Sequence, residues 1–194
     1  MPFILASQSP FRVSLLKQIG YAPQKIAPQN VDESTHPKEK PTDYLKRIIS
    51  LKITSAQQEF PNDIILAADT IVTVGCRIFQ KPETRAEADR MLTLFSGRRV
   101  RVTTAICVAL KEKKRERLVS ATLSFKRLSV LEKEAYLNAN TWHTTSGGIA
   151  IDEIGGCFIK SVQGSASTIM GLPLFETKNL LESFGIYPDW MQKP

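Results

Sequence analysis

"DIILAADTIV", residues 63–72, is the stretch around which the rest of the chain organises. Five apolar residues, 64–68, run to Asp69 without polar interruption, which reads as a buried strand over 63–68. Thr70 then opens a second strand-like run over 70–75. An aspartate there is unusual because Asp disfavours strands, and no turn glycine stands beside it. Asp69 either organises its own bend or belongs to a site.

Outward from this stretch, strands are predicted over 2–6, 100–110 and 118–126, with a shorter pair near 157–162 and 167–170. Helices are predicted over 10–19, 42–58, 84–95, 130–139 and 173–184. Thr84 and Glu87 have capping-box spacing, and Gly97 stands just past the end of that helix. Pro173 suits a first helical position and Gly185 a helix end. Helices separated by both crossover and hairpin connections imply an α/β fold, a mixed sheet covered by helices with a central cleft at its strand ends.

Length and composition agree. The chain has 194 residues, 42% hydrophobic and 23% charged, with no repeat or low-complexity linker, so a single domain over 1–194 is expected. It lacks a long apolar run and a basic leader, so neither a membrane span nor a signal peptide is expected, and the protein reads as cytoplasmic. Cys76, Cys107 and Cys157 are widely spaced, and with His36 and His143 they match no zinc pattern. The net charge of +7 points to an anionic partner. Much of it sits in "KEKKRER", residues 111–117, which reads as a solvated hairpin tip; the rival reading, a nucleic-acid patch, would want interleaved aromatics, which are absent there.

Several residues carry chemistry. Ser9 and Pro10 read as the N-cap and first residue of a helix, which puts Arg12 at the positive pole of the macrodipole. A cation is unfavourable there unless an anion sits between it, the helix amides, Ser7 and Ser9. In the helix of residues 42–58, Leu45, Ile48, Ile49 and Ala56 form an apolar stripe with Lys52 in its middle. Such a lysine must snorkel past the stripe, pair, or serve a site by presenting its charge to a buried anion. Lys81, held extended by Pro82, adds a third cation, a set suited to a triphosphate. Asp32 and Glu33 form an acidic pair that, with a carboxylate from another loop, suits Mg2+ or Mn2+. The stretch "TSGGIAIDEIGGCF", residues 145–158, permits close approach to a ligand, although tight turns explain its glycines as well. Dinucleotide-binding, P-loop and nucleophile-elbow motifs are missing.

These motifs occur in a familiar order: "LAS-S-P-R", the "DE" pair, the "P…Y…R" helix leading to Lys52, "AADTIV", "KP" followed by a helix and "SG", and "GS…GLPL". The chain resembles the Maf family of nucleoside triphosphate pyrophosphatases, also called septum formation proteins. The resemblance implies a Maf/inosine-triphosphatase-like fold, an elongated mixed β-sheet flanked by helices with a central cleft. It also implies hydrolysis of a nucleoside triphosphate, modified, surplus or pyrimidine, to monophosphate and pyrophosphate with a divalent metal. Asp69 matches the family's catalytic proton acceptor, and Glu33 an acidic site position able to share the metal with it. Ser9, Arg12, Lys52 and Lys81 match polar and cationic positions around the phosphates, with Ser7 beside them. Family members commonly form homodimers.

Three specificity positions are mixed. Family members that prefer dTTP and UTP tend to carry Arg, Thr and Gln where this chain has Phe11, Thr70 and Asp152; the 7-methyl-GTP type tends to carry Trp, Gln and Glu. A family lysine is replaced by Thr145, and the aromatic usual after "GS" by Ala166. The alternative reading is a catalytically weakened nucleotide-binding protein of cell-division control. Neither reading expects a stable nucleic-acid or membrane partner.

Overall fold

The computed structural model describes residues 2–191. The strands are β1 (Phe3–Ala6), β2 (Lys25–Ile26), β3 (Ile64–Val74), β4 (Arg77–Phe79), β5 (Arg99–Leu110), β6 (Lys113–Phe125) and β7 (Ile159–Gln163). The helices are α1 (Pro10–Gln18), α2 (Pro41–Glu59), α3 (Arg85–Phe95), α4 (Val130–Ala139), α5 (Ala166–Ile169) and α6 (Leu174–Glu182). The strands form one mixed sheet in the order β2-β1-β3-β5-β6-β7, with β4 paired to β3 off that path. β1 lies parallel to both neighbours, Leu5 in register with Ile26 on one side and Leu66 on the other. The α/β class and mixed sheet read from the sequence are those observed. None of the described helices is long and apolar enough to cross a membrane.

The chain divides into two compact units. The first contains the residues up to Asp69, Thr104–Val119 and those from Ser167 onward. Its core joins Phe3, Leu5, Leu16, Leu66, Ile106, Val108, Leu180 and Leu181. Full burial of such side chains contributes about 1.5–3 kcal/mol each. Leu66, Ala67 and Ala68 are buried on both faces of β3, as their uninterrupted apolar run requires.

The second unit contains Thr70–Thr103 and Ser120–Ala166. Phe95 packs between Phe79 and Phe125, at ring separations of 5.1 and 5.6 Å. Lys133 of α4 reaches Asp89 of α3 at 3.1 Å. Ser129 and Glu132 close a complete capping box at the start of α4. At α3 only half of the expected box forms: Thr84 accepts from the Glu87 amide, while the Glu87 carboxylate accepts from the amide of Glu83.

Other details also differ from the sequence reading. The two runs expected over 63–68 and 70–75 are a single strand, because Asp69 keeps extended geometry and finds a partner for its charge. The expected strand over 167–170 is a helical turn, α5. Its β-branched residues suggested a strand, but the Leu172 amide bonds back to Ser167 and Thr104 Oγ1 donates to the Thr168 carbonyl at 2.8 Å. The basic stretch 111–117 is a tip only at Lys111 and Glu112; Lys113 already begins β6. Pro173 serves as N-cap instead of first helical residue.

Candidate active site

Asp69 lies where β3 leaves the first unit, and only 8% of it is exposed. Its Oδ1 accepts a hydrogen bond from Lys52 Nζ at 2.6 Å. The amphipathic pattern of α2 delivers that lysine: Leu45, Ile48, Ile49 and Ala56 are buried, and Lys52 is buried on the same face. Of the uses open to a lysine in an apolar stripe, the structure shows pairing. Its ammonium also meets Glu33 Oε1 at 2.8 Å, so one cation bridges two carboxylates from distant parts of the chain. Removing one member of a buried ion pair typically costs about 3–5 kcal/mol, because the partner charge is left without compensation.

Glu33 is half exposed and sits on a loop, yet its backbone is pinned. Tyr44 Oη donates to the Glu33 carbonyl at 2.9 Å. Arg47, one turn further along α2, donates to the Ser34 carbonyl at 2.8 Å and grips both oxygens of Glu39 at 2.7 and 2.8 Å. That fork holds the Glu39 carboxyl down at about 2. Asp32 turns away from the cation: its Oδ1 accepts from the Ser34 amide at 2.9 Å, which lowers its pKa and makes a local turn. Of the acidic pair, therefore, only Glu33 joins Asp69.

Arg12 is also buried. Its Nη1 donates to Ser7 Oγ at 2.7 Å and its Nε to the Gly171 carbonyl at 2.9 Å. Burial lowers the guanidinium pKa, and attraction to Asp69 and then Glu33 offsets part of that. Gly171 presents its carbonyl with φ +99°, a backbone conformation that side-chain-bearing residues rarely adopt. Ser7 Oγ accepts in turn from the amide of Ser9, the N-cap of α1. Phe11 is half-buried in the first turn of that helix.

The remaining predicted residues belong to the second unit. Thr70 is half-buried on β3 and its carbonyl accepts from Ser146 Oγ at 3.4 Å. Lys81 is exposed between β4 and α3. Asp152 is exposed in the turn after Ala150, whose amide donates to Tyr136 Oη. The glycines nearby have a local explanation: a Cβ on Gly155 or Gly156 would stand 2.5 or 2.4 Å from the carbonyl oxygens of Ala150 or Ile151.

Sequence reasoning assigned no role to Tyr44, Arg47 or Gly171. The first two had a signal: they stand three apart on α2, at the end facing the acidic loop, within the "P…Y…R" motif. Gly171 opens the "GLPL" motif, but its partner Arg12 is 159 residues away, so the pairing itself left no local signal.

No group of three or more His, Cys, Asp or Glu side chains forms a metal cluster among the described residues. Asp69 and Glu33 nevertheless fit a divalent cation, since both turn a hard oxygen donor to one point. Mg2+ commonly takes one or two carboxylates and completes its shell with water and substrate phosphate.

Together these features describe an α/β protein in which a buried lysine joins a buried aspartate to a half-exposed glutamate, with a buried arginine in the same unit. The chain belongs to the Maf family: the family model described as Maf-like protein matches residues 2–184. It is 39% identical to a dTTP/UTP pyrophosphatase of Rhizobium meliloti over 97% of this chain and 96% of that one. A protein of the same description from Rhodopseudomonas palustris is 41% identical over the same shares, 97% and 96%. Among solved structures, the Staphylococcus aureus Ham1 protein aligns with a TM-score of 0.45 and 14% identity over 65% of this chain and 71% of that one, too loose a likeness to carry an argument.

Proposed function

We propose that this protein hydrolyses nucleoside triphosphates, pyrimidine triphosphates foremost, to the monophosphate and pyrophosphate with Mg2+ or Mn2+. The observation that carries the reading is the bridge that the buried Lys52 makes between Asp69 and Glu33. A pure binding pocket for a polyanion has no use for two carboxylates, whereas a hydrolase needs one to handle water and both to hold a cation. The dTTP/UTP description of the relatives supports the pyrimidine preference, and Thr70 matches that type.

In this mechanism Asp69 orients the attacking water toward the α-phosphorus and accepts its proton. Lys52 orients that carboxylate through Oδ1 before metal and substrate bind. Arg12 supplies positive charge where the phosphates bind, aided by Ser7, Ser9 and Lys81. Asp69 and Glu33 would hold the divalent ion, whose charge would stabilise the transition state and the departing pyrophosphate. Phe11 would stack on the base, and Asp152 would accept hydrogen bonds from its edge. The reading takes the whole chain as one Maf-type domain acting in the cytoplasm, as a homodimer, without a stable nucleic-acid or membrane partner.

The test is pyrophosphate release from a panel containing dTTP, UTP, purine and modified triphosphates, with nucleotide binding measured in parallel. Release from dTTP and UTP that is lost in Asp69→Asn supports the reading. Silence across the panel with binding intact would replace it with the weakened binding protein.

A further inference from the structure

We infer that Lys52 is a built-in stand-in for the divalent cation: in the metal-free protein its ammonium occupies the position between Asp69 and Glu33 and yields it when the metal binds. The inference rests on the metal-dependent reading above and concerns what this lysine does before metal arrives.

Three observations carry it. Lys52 Nζ contacts both proposed metal-binding carboxylates at once, at 2.6 and 2.8 Å. The two acids come from different elements, a loop and a strand, and without a cation their like charges would push the loop away from β3. The lysine emerges from an apolar stripe, so its charge depends on those carboxylates for compensation.

The chemistry of the group is as telling as its place. An ammonium is a compact point charge whose donors rotate freely, so its geometry tolerates replacement by an ion. The nearby Arg47 on Glu39 is the opposite case, a planar fork locked on both carboxylate oxygens. One cation on α2 is thus built to stay and the other to be displaced. Lys52 draws the two acids to one point, and metal and ammonium compete for the same oxygens. Once displaced, the ammonium is available to the substrate phosphates, so metal arrival and phosphate capture are coupled through one side chain.

The experiment measures Mn2+ binding to the purified full-length protein without nucleotide, by loss of the free-ion paramagnetic signal. Lys52→Ala is expected to bind Mn2+ at least about tenfold more tightly than the parent, since it removes a unit charge at contact distance. Lys46→Ala, which deletes an exposed charge from the same helix, is expected to change the affinity by less than about twofold. Equal or weaker binding by Lys52→Ala, or equal tightening by Lys46→Ala, overturns the inference.

Melting curves supply a second reading: Lys52→Ala is expected to lose stability in chelator and recover it with Mn2+ to a greater extent than the parent gains. If the variant does not fold, the parent alone decides. Mn2+ should then raise the rate at which an amine-acylating reagent labels Lys52, relative to Lys46, and an unchanged ratio overturns the inference. A parent that releases pyrophosphate while failing these tests leaves the enzyme reading intact; a parent with no turnover and no metal response removes that reading itself.

Discussion

Arg12 and Lys52 are buried to nearly the same degree, 9% and 8% exposed, but the first unit treats them differently. The guanidinium hydrogen-bonds neutral oxygens, Ser7 Oγ and the Gly171 carbonyl, while the ammonium is held by two carboxylates. Hydrogen bonds to neutral oxygens fix the guanidinium's position while the attraction of Asp69 and Glu33 works against the cost of its burial, whereas the ammonium sits in direct contact with both acids. The difference teaches a division of labour. Arg12 is an anchored source of positive potential suited to a polyanion, and Lys52 is a counterion whose charge organises the acids around it.

The strongest way to break this comparison is at the acid. Asp69→Asn keeps the shape of the site and removes the proton acceptor, and is expected to lower kcat by about 10²–10⁴-fold while nucleotide affinity changes far less. Steady-state kinetics with a parallel binding titration checks it. Lys52→Met comes next. It leaves Asp69 and Glu33 without their cation and is expected to cost about 3 kcal/mol of stability in chelator, read from denaturant unfolding.

Arg12→Lys sharpens the other half of the comparison. A lysine keeps the charge but cannot reach Ser7 and Gly171 together with a planar fork, so a loss of about 1.5–3 kcal/mol is expected with a raised KM for the triphosphate. If Arg12→Lys left KM unchanged, Arg12 would be structural only. The smallest effect concerns the clamp on the Glu33 loop. Glu39 is held at about 2 against an ordinary 4.5, so its contribution to stability is complete above pH 4.5 and disappears as pH falls toward 2. Glu39→Gln should therefore flatten part of the drop in melting temperature over that interval.

The legible parts of the fold were those written in local pattern. The apolar run before Asp69 is the buried part of β3, and the stripe of α2 delivered Lys52 to an anion. Ser129 with Glu132 shows what the spacing at Thr84 and Glu87 promised but completed only in part. Tertiary bonds erased other patterns: a hydroxyl of β5 and a backbone turn made a helix of the β-branched stretch after Ser165. The site was legible in its members more than in their pairing. Arg12 looked anomalous from helix electrostatics alone, but Gly171, its partner, is distant in the chain, and only the folded chain brings α1 and the α5–α6 connection together. Likewise, Lys52 read as a cation for phosphate, and its capture by Glu33 depends on a loop that Tyr44 and Arg47 hold in place.

The central claim is that Asp69, organised by Lys52, directs water onto the α-phosphorus of a nucleoside triphosphate. Hydrolysis of dTTP in water carrying heavy oxygen, followed by mass spectrometry of both products, tests it most directly. The account predicts the label in the nucleoside monophosphate and none in pyrophosphate, with both products vanishing in Asp69→Asn. Label in the pyrophosphate, release of inorganic phosphate instead, or full turnover by Asp69→Asn would contradict it.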